Sequence, residues 1–312
     1  DRGYKEVEEP SVYVKFKLTD DDSSILAWTT TPWTLPGNVG LAVGPDVTYV
    51  KVKVSEVAAN WSGAGGADVG ETMILAKDLM KEVLRHNVEI IEEFQGSDLI
   101  GRAYEPLFPE AVPRGDSTTA WTVLSADWVT TTDGTGVVHT AVMYGEDDYN
   151  LGMEVGLPAY HTVGMDGAFV AGIHEQLDGR YVKESDQTII ELLSSPQGSN
   201  GKGPDRGLLY REKAYLHDYP HCWRTDHPLL YYAMDSWFVR MTAVKEQLLK
   251  FNDDVEWAPD WVGEGRFGEW LRNVKDLSLI HISEPTRQEA ISYAGVGMKK
   301  KRGGGGGGGG GG

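Results

Sequence analysis

The sequence predicts an α+β domain, rich in strand and barrel-like in its packing. Three observations carry that expectation: short apolar runs recur through residues 11–140, segments with helical spacing are few, and turns containing Gly or Pro separate the runs. Many short strands joined in this way close on themselves or stack, with a few helices at the periphery.

Ser11 to Leu18 alternates, with Val12, Val14, Phe16 and Leu18 on one side and Tyr13, Lys15 and Lys17 on the other, which predicts a half-buried strand. The apolar run Ile25 to Trp28 then empties into Thr29-Thr30-Thr31-Pro32-Trp33-Thr34-Leu35-Pro36-Gly37-Asn38. Each proline fixes φ and cannot donate to a ladder, so the strand stops in a rigid loop lined by hydroxyls. Strand character resumes over Leu41 to Val54 around the turn Gly44-Pro45-Asp46, and the small residues of Trp61 to Gly70 read as a surface loop.

Met73 to Leu75 reads as a strand, and Leu79, Met80, Val83 and Leu84 give helical spacing across Lys77 to His86. Val88 to Phe94 and Thr119 to Leu124 are further strands. Trp128 to Thr132 is expected to turn at Asp133-Gly134 and pair with Gly136 to Thr140. Amphipathic helices are expected over Lys183 to Ser194 and Thr242 to Phe251.

With 312 residues, 40% of them apolar, the chain can bury one large core or two smaller ones. No apolar run approaches the roughly 18 residues of a membrane span, and the charged start Asp-Arg-Gly-Tyr-Lys is no signal peptide. A cytoplasmic location without membrane contact is expected, and the missing initiator Met suggests a fragment. The single cysteine, Cys222, excludes an internal disulfide and fits a reducing compartment, where it reads as a small buried residue. Net charge is −18, from 29 basic and 47 acidic residues, which argues against a phosphate-tracking surface and against DNA. A pocket for the end of an RNA is still compatible, since unstacked bases are held by stacking and hydrogen bonds.

Residues 1–10 read as a linker and 11–215 as the main domain. The composition shifts near 216 toward aromatics and charge, as in His221-Cys222-Trp223-Arg224, giving a further segment 216–276. Residues 277–312 end in ten glycines, which bury no core, and are expected to be a non-native disordered tail.

A second stretch carries chemistry. Gly134-Thr135-Gly136-Val137-Val138-His139-Thr140-Ala141 and Gly145-Glu146-Asp147-Asp148-Tyr149 form a strand ending near a histidine, a short loop and an acidic helix start. Acids in a first helical turn serve the dipole and the free N–H groups without any ligand, and a lone histidine is more often structural. Taken with the threonine loop, these stretches resemble the editing domain of isoleucyl-tRNA synthetase, a domain inserted into a class I synthetase catalytic fold. Ala76-Lys77-Asp78-Leu79, Tyr104-Glu105-Pro106-Leu107-Phe108, Cys222-Trp223-Arg224 and Trp237-Phe238-Val239 extend the resemblance over roughly Glu9 to Asp276. Valyl and leucyl relatives have Thr-Thr-Arg-Pro in the loop, so Thr31-Pro32-Trp33 points to the isoleucyl member.

The resemblance implies hydrolysis of valine wrongly esterified to isoleucine tRNA. Isoleucine and valine are the standard worked example of a one-methylene difference, worth only about 1–3 kcal/mol in an apolar pocket, so a second sieve is needed. It assigns Thr29, Thr30 and Thr31 to orienting the terminal adenosine, the ester and a water. Asp148 holds the α-ammonium, Trp33 and His139 form pocket wall, and Asn38 fixes the loop or contacts substrate. No cofactor or metal is implied for editing. The His-Ile-Gly-His and Lys-Met-Ser-Lys-Ser signatures of the parent enzyme's ATP and magnesium site are absent, so aminoacylation is not expected. Some relatives carry a zinc-binding cysteine where this chain has Thr225, and Val142 stands where the family pattern has proline. The implied partners are the 3′ end of a mischarged tRNA and the rest of the synthetase chain. A non-catalytic domain that only binds the acceptor end or an amino acid is the alternative.

Overall fold

The computed structural model describes residues 3–58, 65–113, 115–196, 201 and 207–278. Strand β1 (Tyr4–Lys17) pairs antiparallel with β2 (Ser23–Thr29) on one edge and with Leu209–Pro220 on the other. Ser11 through Phe16 is consequently buried at every position, where alternation predicted one solvated face. Lys15 has no exposed surface; its ammonium meets Glu71 Oε1 at 3.0 Å and donates to Gly66 O at 2.9 Å. Such partners are the condition on which a charge is kept inside.

The chain continues through β3 (Gly40–Val43), β4 (Thr48–Glu56), β5 (Thr72–Ala76), α1 (Met80–Val83), β6 (Asn87–Gln95), β7 (Thr122–Ser125) and β8 (Val137–Thr140). It then forms α2 (Glu146–Val155), α3 (Asp186–Ser194) and β9 (Leu209–Pro220). Among the described residues nine strands make one mixed sheet, with short helices between them, so the α+β expectation holds.

β2 organises the sheet. Its free edge pairs in parallel with β5 over Ser23 to Ile25 and with β8 at Trp28. β8 runs antiparallel to β3, and β3 runs parallel to β7. From β7 the hydrogen bonds pass to residues 101–105, through Gly101 N to Val123 O at 2.8 Å and Tyr104 N to Trp121 O at 2.9 Å. They return to β1 through Glu105 N to Lys17 O at 2.8 Å. The path therefore closes into a ring, which removes the exposed edges an open sheet would leave there.

The hairpin expected at Asp133-Gly134 does not form. Residues 126–136 are turn and loop, and β8 takes the wholly buried β3 as its antiparallel partner. Gly134, at φ 74°, lets the loop pass under Trp28, where a Cβ would stand 2.8 Å from Cε3.

Tyr4 to Pro10 is strand rather than linker, paired with Ala214 to Pro220. Position 216 lies inside β9, and the compact units divide between Ala233 and Met234, because the β1–β9 ladder carries the first unit past 216. In the second unit, β10 (Phe238–Val239) precedes α4 (Lys245–Asp253) and α5 (Gly268–Arg272), and β11 (Leu277–Ser278) returns to pair with β10. Buried Asn252 donates to Gly263 O at 2.9 Å within that unit. The tail beyond residue 278 and positions 59–64 of the expected loop lie outside the described residues. Among the described residues no helix is long and apolar enough to cross a membrane.

Candidate functional site

At the end of β2 the chain meets Pro32, which has no N–H, and winds into a 3₁₀ helix over Pro32–Gly37. Thr34 N donates to Thr31 O and Asn38 N to Leu35 O, both at 3.0 Å. This tight winding brings three hydroxyls into line. Thr29 Oγ1 lies 3.2 Å from Thr31 Oγ1, which lies 3.3 Å from Thr34 Oγ1. Thr34 donates to Thr31 O at 2.8 Å, so its hydroxyl accepts from the other two neighbours, Thr31 and His139.

The His139 ring is fixed from both ends. Asn38 Nδ2 donates to Gly40 O at 2.9 Å and Asn38 Oδ1 accepts from Tyr104 Oη at 2.7 Å, which sets the amide's orientation. The same Nδ2 faces His139 Nδ1 at 3.5 Å, and His139 Nε2 lies 2.9 Å from Thr34 Oγ1. A proton on Nε2 and a lone pair on Nδ1 satisfy this arrangement. Burial pushes the imidazole pKa down to about 4, so the ring is neutral at physiological pH.

Downstream of β8, Ala141 to Tyr144 turns the chain into α2, with Gly145 as N-cap. Val142 is buried and seated against Gly152, where a Cβ would meet its Cγ2 at 2.5 Å. Glu146 and Asp147 point to solvent and serve the helix dipole. Asp148 behaves differently: its Oδ1 accepts from Ala141 N at 3.2 Å, and its carboxyl faces a cavity. Burial, helped by the charge of Asp147 and opposed by the Ala141 hydrogen bond, raises its pKa to about 6.

That cavity, about 270 Å³, is lined by Trp28, Thr29, Thr30, Thr31, Thr34, Val138, His139, Ala141, Tyr144 and Asp148. Five of the seven predicted site residues meet there: Thr29, Thr30, Thr31, His139 and Asp148. Trp33 does not line it. Only 2% exposed, its ring lies edge-on behind Tyr144 at 5.3 Å, so the wall expected of the indole is supplied by the phenol instead. Asn38 is also outside the lining and reaches it only by its approach to His139 at 3.5 Å. Tyr144 escaped the sequence reading, although it is the only aromatic residue between Ala141 and Gly145. Its hydroxyl accepts from Val163 N and shares a hydrogen bond with Thr162 Oγ1, each at 2.9 Å, which fixes the ring.

Among the described residues the lining holds no Lys or Arg. Near pH 7 its one formal charge is the Asp148 carboxylate, beside a neutral imidazole, an arrangement that can accept a small cation among hydrogen-bonding groups. Thr30 has no side-chain hydrogen bond among the described residues, which leaves its hydroxyl free for a ligand. Cys222 is half-exposed rather than buried, because it opens a turn in which Asp226 N donates to its carbonyl. Among the described residues no group of three or more His, Cys, Asp or Glu side chains is placed to hold a metal ion.

A family model described as tRNA synthetases class I (I, L, M and V) matches residues 4–281. The chain belongs to this family. Among class I synthetases it is similar to the isoleucine–tRNA ligase of Clostridium novyi (strain NT), 44% identical over 279 residues. Those of Clostridium tetani and Thermus thermophilus are 43% and 38% identical. Each alignment covers 89% of this chain and 24% of the relative, so the chain spans about a quarter of the length of the synthetases it matches. Two solved structures are also similar. The editing domain of P. falciparum cytosolic leucyl-tRNA synthetase is 10% identical at a TM-score of 0.41, covering 65% of this chain and 99% of that one. For the P. knowlesi domain the values are 11%, 0.42, 67% and 99%.

Proposed function

We propose that this cavity hydrolyses the ester of a mischarged aminoacyl-tRNA, with valine on isoleucine tRNA as the substrate. The observation that carries the reading is the pairing of one carboxylate, Asp148, with the hydroxyls of Thr29, Thr30 and Thr31 in a cavity whose described lining has no cationic residue. An aminoacyl ester presents the matching groups: an α-ammonium for Asp148, and an ester carbonyl with its ribose oxygens for the hydroxyls.

Size agrees with this assignment. About 270 Å³ falls just below the roughly 300–1,000 Å³ of drug-sized ligand pockets, enough for a small aminoacyl group while the adenosine remains at the mouth. Val138, Ala141 and the Tyr144 ring form the apolar part, against which a branched side chain packs. His139, neutral and held by Thr34, is a wall that limits side-chain length. Water is the nucleophile; Thr30, and the lone pairs left on Thr29 and Thr31, orient it toward the carbonyl. The barrier falls through positioning and a fixed charge, with no covalent intermediate. Relatedness to isoleucine–tRNA ligases supports the choice of amino acid and tRNA.

The test is release of radiolabelled valine from Val-tRNA(Ile) at micromolar protein. Release above the buffer rate is expected, with a fall of about 100-fold or more in Asp148→Ala, the order of effect produced by losing a buried charged contact. Release equal to buffer at high protein concentration rejects hydrolysis and leaves acceptor-end binding as the function.

A further inference from the structure

Asp186 opens α3 yet does not serve it. The helix has no side-chain cap, and the Asp186 carboxylate turns away to accept the backbone N–H of Trp33 at 2.9 Å, 153 residues earlier in the chain. Trp33 follows the proline that starts the 3₁₀ helix of the threonine loop, and that helix likewise has no side-chain cap of its own. Of its first three backbone N–H positions, Pro32 has none, Thr34 bonds back to Thr31 O, and Trp33 is left for Asp186.

We propose that Asp186 is a positioning residue for the editing site, capping the threonine loop from outside and thereby holding its hydroxyls in register. The assignment rests on the function proposed above. Its surroundings show a built contact. Asp186 is buried at 8% exposure, and Lys183, one turn earlier, pairs with Glu9 of β1 and sits 4.1 Å from the Tyr219 ring centroid of β9. His217 of β9 approaches the other oxygen of Glu9 at 3.5 Å. β1, β9 and the start of α3 are thus joined through Glu9, His217, Tyr219 and Lys183, and Asp186, three residues on from Lys183, bonds the loop.

The capped residue has a second effect. The Trp33 ring backs Tyr144, which lines the cavity, so releasing the Trp33 amide loosens the hydroxyl row and the opposite wall together. Burial lifts the Asp186 carboxyl toward neutrality, to about 7, with Lys183 opposing. Charged or neutral, the carboxyl still offers an oxygen to the amide, and Asp186→Asn keeps an equivalent acceptor.

The experiment compares wild type, Asp186→Ala and Asp186→Asn in the full chain. Two readouts are used: kinetics of valine release from Val-tRNA(Ile), and amide hydrogen exchange over residues 29–38 measured by mass spectrometry without substrate. Asp186→Ala is expected to lower kcat about tenfold or more with KM within twofold, since Asp148 still holds the ammonium. It is also expected to speed exchange in that peptide by a similar factor. Asp186→Asn is expected to restore both to within about threefold of wild type. Unchanged exchange in Asp186→Ala overturns the proposal, as does an Asn variant as impaired as Ala in both readouts. If wild type releases no valine, the proposed function fails, and the exchange comparison alone still decides the role of Asp186.

Discussion

His139 and Asp148 line one cavity, and burial moves their pKa values in opposite senses, the imidazole down to about 4 and the carboxyl up to about 6. Above pH 6 the pair is therefore neutral ring and anionic carboxylate, the state that the proposed ammonium contact requires. Between pH 6 and 4 the carboxylate is lost before the ring gains charge, and the cavity carries no formal charge at all. Valine release, corrected for spontaneous ester hydrolysis, is expected to rise tenfold per pH unit below about 6 and to level off by pH 7. A profile flat from pH 5 to 8 removes Asp148 from the productive state. At this scale the sequence pointed to five residues that line the cavity but not to what each one faces. Asp147 and Asp148 read alike as acids of a first helical turn, and only the fold turns one to solvent and the other to the cavity. Tyr144 lines the cavity where Trp33 was expected for the same reason, since an aromatic's depth behind a wall depends on the rest of the fold.

The threonine loop works as an element because its 3₁₀ winding is braced on several sides. Gly37 shows how close that bracing is: a Cβ there would stand 3.2 Å from Tyr144 Cε2 and 3.4 Å from Thr162 Oγ1. Gly37→Ala is expected to cost about 1–3 kcal/mol through overpacking, and to push the phenol toward the cavity. Calorimetry should show the melting temperature falling by a few degrees, while kcat/KM for valine release falls further than stability alone explains. An unchanged melting temperature and kcat/KM would mean that the ring yields freely. Among the elements, strands with local apolar patterns were legible, as were the helices near Lys183 and Lys245. Two expectations failed because of distant partners. β1 read as half-buried because β9, some 200 residues later, was not visible in its alternation. The hairpin at Asp133 was displaced by β3, which lies almost 100 residues before β8.

On the scale of the molecule, a net charge of −18 fits the proposed substrate only if the tRNA is recognised at its end rather than along its backbone. Binding of uncharged tRNA to this chain is expected to show a shallow salt dependence, with a log–log slope of magnitude about 3 or less, as fits contact with few phosphates. Fluorescence anisotropy from 50 to 300 mM salt measures it, and a slope of magnitude 6 or more would require a phosphate-tracking surface that the composition disfavours. The α+β class and the two halves of the site could be read from residue order because each half is a contiguous motif. The domain limit could not: the change in composition near 216 falls within a strand, and hydrogen bonding to β1 carries the unit on to Ala233.

The closed hydrogen-bond ring has a consequence in time. It joins Lys17 to Glu105 and Gly40 to Thr140, and β1 waits for Leu209–Pro220, so its contacts are long-range ones, which form slowly because loop closure precedes their reward. During synthesis the hydroxyl loop emerges more than 100 residues before Asp148 and about 150 before Asp186. A growing chain thus carries the threonines as an inert turn, and the pocket is completed only after most of the first unit has left the ribosome.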